Sequence, residues 1–223
     1  MATRTIENYL KQLYLEEQHT PADTPVAMGR LAALMNVVPG TATTMVKALA
    51  DSGLVRYSPR TGVQLTDAGS QLALHVLRRH RLVELFLVRH LGLDWSEVHE
   101  EAEELEHVIS DKVLERIDAL LGHPTVDPHG DPIPTAAGHV AACDILSLAT
   151  CPLDSPVEIT RILDQEPRFL QFARKSGLTP GSHVSILARD EEAESIRLEL
   201  VPLKGGGITL SLAAGAKFLV KAC

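Results

Sequence analysis

The apolar residues change their period once along the chain, and that change limits what it can fold into. As far as residue 121 they recur at i, i+3, i+4 and i+7, which lays one apolar stripe along a helix. From Val157 they alternate, in VEITRIL, HVSILAR, SIRLELV, ITLSL and KFLVKA, with Gly and Pro turns between, as half-buried strands do. The pattern predicts a mainly α chain with a small all-β domain, a barrel carrying one short helix near residues 167–175. The stretch HPTVDPHGDPIPTAAGH follows neither period and reads as loop, and residues 141–156 fit neither reading clearly. With 223 residues, 45% of them hydrophobic, the chain can bury a core, which excludes wholesale disorder. No run approaches the ~20 apolar residues needed to span a bilayer. The opening MATRTIENYL lacks the apolar core of a signal peptide. Cys143, Cys151 and Cys223 form no CxxC pair, which suits a reducing cytoplasm and disfavours a cysteine zinc site.

The first third carries a recognisable order of elements. Thr5 is expected to cap a helix through Ile6, Leu10, Leu13 and Tyr14 to about Glu17. Thr24-Pro25 is expected to open a second, with Met28, Leu31, Ala32 and Met35 inward. After a break at residues 36–40, a third helix buries Ala42, Met45, Val46 and Leu49 and ends at Gly53. Residues 54–57 and 63–65 then flank SPRTG as a hairpin. Two short helices, a tight turn and a hairpin make a winged helix-turn-helix. The third helix would show Thr41, Thr44, Lys47 and Ala48 outward: small side chains that let backbone approach base edges, and a cation for a phosphate. Arg60 falls at the hairpin tip, where a wing meets DNA. The same elements also suit a plain packing module with a polar face.

Charge is uneven. Residues 1–81 hold 9 basic and 6 acidic groups, residues 82–130 hold 3 and 12, and the chain totals −8. The DNA-reading part is thus mildly positive although the whole is acidic. Eight aromatic residues are too few to favour single-strand binding by stacking. Arg78, Arg79 and Arg81 read as a solvated cluster.

The acidity concentrates around HEEAEELEH, residues 99–107, expected within a helix running from Asp94-Trp95 to about Val108. His99, Glu103, Glu106 and His107 would share one face, and their charges repel unless a divalent metal sits among them. His80 and Glu84, at i, i+4 on the preceding long helix (Asp67 to about His90), form a second donor pair. The spacing is not HExxH, which disfavours a zinc protease. An exposed acidic helix with incidental histidines is the blander alternative. His19, His75, His90, His123, His129, His139 and His183 read as surface or loop residues. A metal-dependent hydrolase would need a nucleophile or general base that the cluster does not supply, so the chain is not expected to be an enzyme. A metal-storage module would leave the helix-turn-helix unexplained.

These stretches resemble the diphtheria toxin repressor and manganese transport regulator family of metal-dependent transcriptional regulators. The resemblance rests on TIENYLKQLY, DSGLVRY, GVQLTDAG, RRHRLVELFL, LGLDWSEVHEEAEELEHVISD and HGDPIP. It implies an N-terminal winged helix-turn-helix over residues 1–72 and a helical metal-binding and dimerisation domain over 73–138. A linker over 139–155 and an SH3-like β-barrel over 156–223 would follow. It implies one metal site from Asn8, Glu103, Glu106 and His107. An ancillary site would come from His80, Glu84, His99 and Glu166. The helix facing DNA would present Pro39, Gly40, Thr41, Thr43 and Thr44. Oxygen and imidazole donors favour Mn²⁺, with Fe²⁺ as the alternative. Lys11 stands where manganese-type members carry a second carboxylate, so two separated sites are expected rather than a binuclear one. Without metal the acidic cluster is expected to repel itself. With metal, a homodimer would repress palindromic operators of metal-uptake genes in the cytoplasm. Leu82, Leu85 and Phe86 are expected at the dimer face.

Overall fold

The computed structural model describes residues 3–21, 24–141, 146–153, 155–202 and 207–222. The chain divides into two compact units. The first comprises Met1–His80, Glu104–Ser110 and Pro134–His139, and the second Arg81–Glu103, Asp111–Ile133 and Val140–Cys223.

The first unit opens with helix α1 (Arg4–Glu17), whose cap is Thr3 rather than Thr5. Thr3 keeps extended backbone, so its hydroxyl is free to accept from the Ile6 N–H, while Thr5 lies within the helix. Thr24-Pro25 does not open the second helix either. Val26 pairs with Val63 in an isolated bridge, and α2 begins only at Met28 (Met28–Leu34). Asn36 adopts a positive φ of 51° in the break, and Pro39 then starts α3 (Pro39–Asp51), where its missing N–H costs nothing. Strands β1 (Val55–Ser58) and β2 (Gly62–Leu65) form the hairpin. Gly62 has a φ of 123°, and a Cβ there would stand 2.3 Å from the Val26 carbonyl oxygen. Only glycine lets the wing close against that bridge. Leu10, Leu13, Leu31, Ala42, Val46, Leu49 and Val63 make the core of this unit. Met45, expected inside with them, is only partly buried.

Helix α4 (Asp67–Leu91) is followed by α5 (Val98–Leu105) and α6 (Asp111–Leu120). Helix α5 is shorter than expected. It ends at Leu105, whose carbonyl accepts from both Val108 and Ile109, so Glu106 and His107 lie in the turn that follows it. Leu82 and Leu85, expected at the dimer face, are buried within the chain itself.

The second unit contains a five-stranded antiparallel sheet of SH3-like type. Its strands are β3 (Pro156–Ile162), β4 (His183–Asp190), β5 (Ser195–Val201), β6 (Ile208–Ser211) and β7 (Phe218–Ala222), in the order β6-β5-β4-β3-β7. The short helix α7 spans Pro167–Lys175, and a single turn, α8 (Leu212–Gly215), precedes β7. Register shifts between Ile159 and Arg161 and between Ile186 and Ala188 bend the sheet around Ile159, Ile186, Ile196, Leu198 and Phe218. Leu148 and the thiol of Cys151, from the expected linker, join that core. Cys143 and Cys223 lie outside the described residues.

Candidate metal and DNA sites

In the first unit, α1 and the turn after α5 bring together Glu7, Asn8, Lys11, Glu106 and His107. Glu106 is fully buried. Its Oε1 accepts from Lys11 Nζ at 2.7 Å, and its Oε2 faces His80 Nδ1 at 2.6 Å. Burial pushes the Glu106 carboxyl upward, but the His80 hydrogen bond and the charges of His80 and Lys11 outweigh it and hold the group below the usual carboxylate range. His107 Nδ1 lies 2.5 Å from Glu7 Oε2. A proton on Nδ1 leaves the lone pair on Nε2, 3.2 Å from Glu106 Oε1. That Nε2 and Asn8 Oδ1 are both shielded from solvent, and neither makes a hydrogen bond.

Two orphaned lone pairs beside a buried carboxylate fit a divalent cation. Glu7 fixes the imidazole tautomer, and His80 orients Glu106 from behind. At Glu106 and Glu7 the expected repulsion is met by cations. Glu7 and Glu106 are matched by Lys11 and by Arg79, whose Nη1 is 3.9 Å from Glu7. Helical spacing alone predicts neither the place of Glu7 nor the pairing role of Lys11. Their positions on α1, next to Asn8 and one turn beyond Glu7, were the available signal.

In the second unit, Glu84 is buried and its Oε1 lies 3.4 Å from His99 Nδ1, while His99 Nε2 is 3.7 Å from Glu103. His99 and the exposed Glu166 line one cleft of about 1010 Å³ with Asp164, Gln165 and Lys217. Glu166 is the N-terminal flanking residue of α7, and its side chain makes no capping bond. Glu100, Glu101 and Glu104 are exposed, and Glu104 holds the Arg4 guanidinium through two oxygens at 2.8 and 2.5 Å. Arg81 is not solvated. It is buried and donates to the Pro132 carbonyl at 2.5 Å, while Arg78 donates to that of Pro134 at 2.7 Å. These arginines tether the HGDPIP loop by its carbonyls. His129, expected among surface or loop histidines, is in that loop but fully buried.

The residues expected to face DNA lie on α3 and in the hairpin turn. Pro39, Gly40, Thr41, Thr44 and Lys47 are exposed on α3, Thr43 is half-buried, and Arg60 is exposed in the turn between β1 and β2. Thr43 and Thr44 donate their hydroxyl hydrogens to the carbonyls of Pro39 and Gly40 at 2.8 and 3.0 Å. Each hydroxyl hydrogen is thus engaged by its own helix, which leaves the oxygen able only to accept.

A winged helix-turn-helix joined to a chain segment rich in buried imidazole and carboxylate defines a DNA-binding regulator of the metal-dependent class. Residues 1–63 match "Iron dependent repressor, N-terminal DNA binding domain", and residues 66–135 match "Iron dependent repressor, metal binding and dimerisation domain". The iron-dependent repressor IdeR of Mycobacterium tuberculosis is 32% identical over 219 residues, covering 92% of this chain and 87% of the relative. A solved manganese-dependent transcriptional repressor in complex with manganese is 38% identical, with a TM-score of 0.87 over 98% of this chain and 100% of that one. ScaR with bound Cd²⁺ is 32% identical, with a TM-score of 0.80 over 98% and 99%. The chain belongs to the iron-dependent repressor family. That is a family of metal-dependent, DNA-binding transcriptional repressors and not of enzymes. Among the described residues no helix is long and apolar enough to cross a membrane.

Proposed function

We propose that this chain is an Mn²⁺-responsive repressor, dimeric in the cytoplasm, that binds palindromic operators of metal-uptake genes. The observation that carries the reading is the pair of orphaned lone pairs, Asn8 Oδ1 and His107 Nε2, beside the buried Glu106. Asn8, Glu106 and His107 would hold the ion, with Glu103 one helical turn before Glu106. His80, Glu84, His99 and Glu166 would hold an ancillary one. Residues 1–72 would act as the DNA-binding domain, 73–138 as the metal-binding and dimerisation domain, and 156–223 as the SH3-like domain, after a linker at 139–155. A bound divalent ion supplies a positive centre shared by α1 and the turn after α5. Asn8 is on the first helix of the DNA-binding unit, so its engagement with Glu106 and His107 fixes that helix. A coupling of about 1.4 kcal/mol is enough for a tenfold gain in operator affinity. The donor set of carboxylate, amide oxygen and imidazole, without thiolate or thioether, suits Mn²⁺ better than softer ions.

Lys11 is the main departure from a two-metal centre. Its ammonium already lies on Glu106 Oε1, so this cluster takes one divalent ion. On DNA, Pro39, Gly40, Thr41, Thr43 and Thr44 meet base edges and adjacent phosphates, Lys47 neutralises a phosphate, and Arg60 meets the backbone beside the wing. Lys47→Ala should weaken binding about equally on all sequences. It should also reduce the slope of log affinity against log salt by about one unit per protomer. A slope unchanged from wild type would place Lys47 away from the phosphates.

The metal assignment is tested by titrating Mn²⁺, anaerobic Fe²⁺ and Zn²⁺ separately into the metal-free protein at fixed salt, reading fluorescence anisotropy of a palindromic duplex. Activation by Mn²⁺ at the lowest free concentration supports the reading. Activation by Fe²⁺ at lower free concentration makes the chain an iron sensor instead.

A further inference from the structure

The wing is held along its outer edge by two different elements. Val63 and Leu65 are two residues apart on β2, so their N–H groups leave the strand on the same side, away from β1. Val63 uses that side for its bridge with Val26. The Val26 N–H donates to the Val63 carbonyl at 2.8 Å, and the Val63 N–H donates to the Val26 carbonyl at 3.0 Å. Leu65 lies beyond that bridge. Its N–H donates at 2.8 Å to Oε1 of Glu17, the last residue of α1 and 48 residues earlier in the chain.

A side-chain carboxylate thus stands where a further strand would otherwise accept. Glu17 is half-buried and lines a cleft of about 420 Å³ with Arg56, Gln64 and Leu65. Burial pushes its carboxyl up, and the Leu65 N–H and the charge of Arg56 only partly offset this, which marks a group withdrawn from water. Glu16, its neighbour, holds the Arg30 guanidinium of α2 through both oxygens at 2.8 and 3.0 Å. The end of α1 therefore grips two parts of the DNA-binding unit, α2 through Glu16 and the hairpin through Glu17.

Two four-residue strands fix their mutual register but not their angle to the helices. The bonds of Thr66 to the Gly53 and Leu54 carbonyls close the base of the hairpin on itself and do not brace it against α1. A single bridge at Val63 leaves the hairpin able to pivot, and a second bond at Leu65, on the same edge, removes that rotation. Arg60 is in the turn at the far end. A strand rises about 3.3 Å per residue, so the tip stands roughly 15 Å beyond Leu65, and a tilt of ~15° carries it about 4 Å, out of reach of a phosphate.

We propose that Glu17 is a positioning residue for DNA binding: by accepting from the Leu65 N–H it sets the angle of the wing and so the place of Arg60 on the DNA backbone. The assignment rests on the reading of Arg60 as the wing's contact with DNA. Glu17 acts through Arg60 and does not itself touch DNA. Asn8 is on the same helix, so the bond also ties the wing to the element that a bound metal would fix.

The test is a double-variant cycle on the full chain in saturating Mn²⁺, with a palindromic duplex enriched from a random-sequence pool. Arg60→Ala should reduce the slope of log affinity against log salt by about one unit per protomer. Glu17→Ala should reproduce at least half of that reduction, and the double variant should lose no more than Arg60→Ala alone. Glu17→Gln keeps an acceptor oxygen and should bind as wild type does. Mn²⁺ affinity without DNA should be the same throughout the series. A wild-type slope in Glu17→Ala beside a reduced slope in Arg60→Ala overturns the role of Glu17 and leaves Arg60 on DNA. Additive losses, a Glu17→Gln as weak as Glu17→Ala, or weakened Mn²⁺ affinity in either overturn it as well. A wild-type slope in Arg60→Ala overturns both assignments. Should Glu17→Ala not fold, hydrogen exchange on the wild-type chain decides. The Leu65 amide should be protected like that of Val63, and a Leu65 amide that exchanges as an open strand edge does overturns the proposal.

Discussion

Glu106→Ala is expected to abolish metal-dependent operator binding and to lower the stability of the metal-free protein by about 3–5 kcal/mol, the usual cost of breaking a buried ion pair. Both effects come from one carboxylate. Its two oxygens face Lys11 Nζ at 2.7 Å and His80 Nδ1 at 2.6 Å, and all three side chains are buried. Truncation removes the acceptor from a buried ammonium and a buried imidazole, and it removes a proposed ligand next to His107 Nε2. Urea unfolding in chelator reads the first effect, and anisotropy in Mn²⁺ reads the second. A variant within ~0.5 kcal/mol of wild type would mean that water reaches Lys11 and that the pair is not buried in solution.

Lys11→Met separates the two roles. Metal-free stability should fall by about 3 kcal/mol, because Glu106 loses its ion-pair partner while the aliphatic volume is kept. Mn²⁺ affinity should move the other way and tighten at least tenfold, or about 1.4 kcal/mol. The ammonium lies on Glu106 Oε1, the same oxygen that is 3.2 Å from His107 Nε2, so it competes with any cation drawn to those two atoms. Isothermal titration with Mn²⁺ distinguishes the cases. Unchanged or weaker binding would make Lys11 a structural cation with no influence on the metal. Tighter binding in the variant would make the wild-type lysine a threshold, so that the chain responds only when metal is abundant enough to bind beside a resident positive charge.

Much of this architecture was legible from hydrophobic period alone. The α3 stripe of Ala42, Val46 and Leu49, the hairpin around Arg60 and each strand from Pro156 onward follow from spacing. Helix starts were less legible, because caps are decided by backbone conformation that several nearby residues could adopt. Thr3 and Thr5 both offer a hydroxyl, and Val26 was drawn into a bridge with Val63 by a partner distant in sequence. The long stripe expected on α5 also failed in part. Local periodicity continues through His107, but the helix stops at Leu105, and Glu106 turns inward on contacts from α1 and α4. The roles of Glu7 and Lys11 and the burial of His129 were invisible for the same reason. Each depends on a tertiary neighbour, and a histidine in a Pro/Gly-rich loop gives no periodic sign that it is buried.

The segmental charge also looks different in the folded chain. The cluster around Glu106 is already balanced by Lys11 and Arg79, so metal does not simply relieve repulsion there. What it can satisfy are the lone pairs of Asn8 and His107.

The most direct test of the account is operator binding with and without metal. Duplexes enriched by the full chain from a random-sequence pool in Mn²⁺ are titrated at fixed salt, first in Mn²⁺ and then after chelation. Palindromic duplexes are expected to bind at least tenfold more tightly in Mn²⁺, with the difference lost in His107→Ala. Equal affinity with and without metal, or a full metal response in His107→Ala, would contradict it.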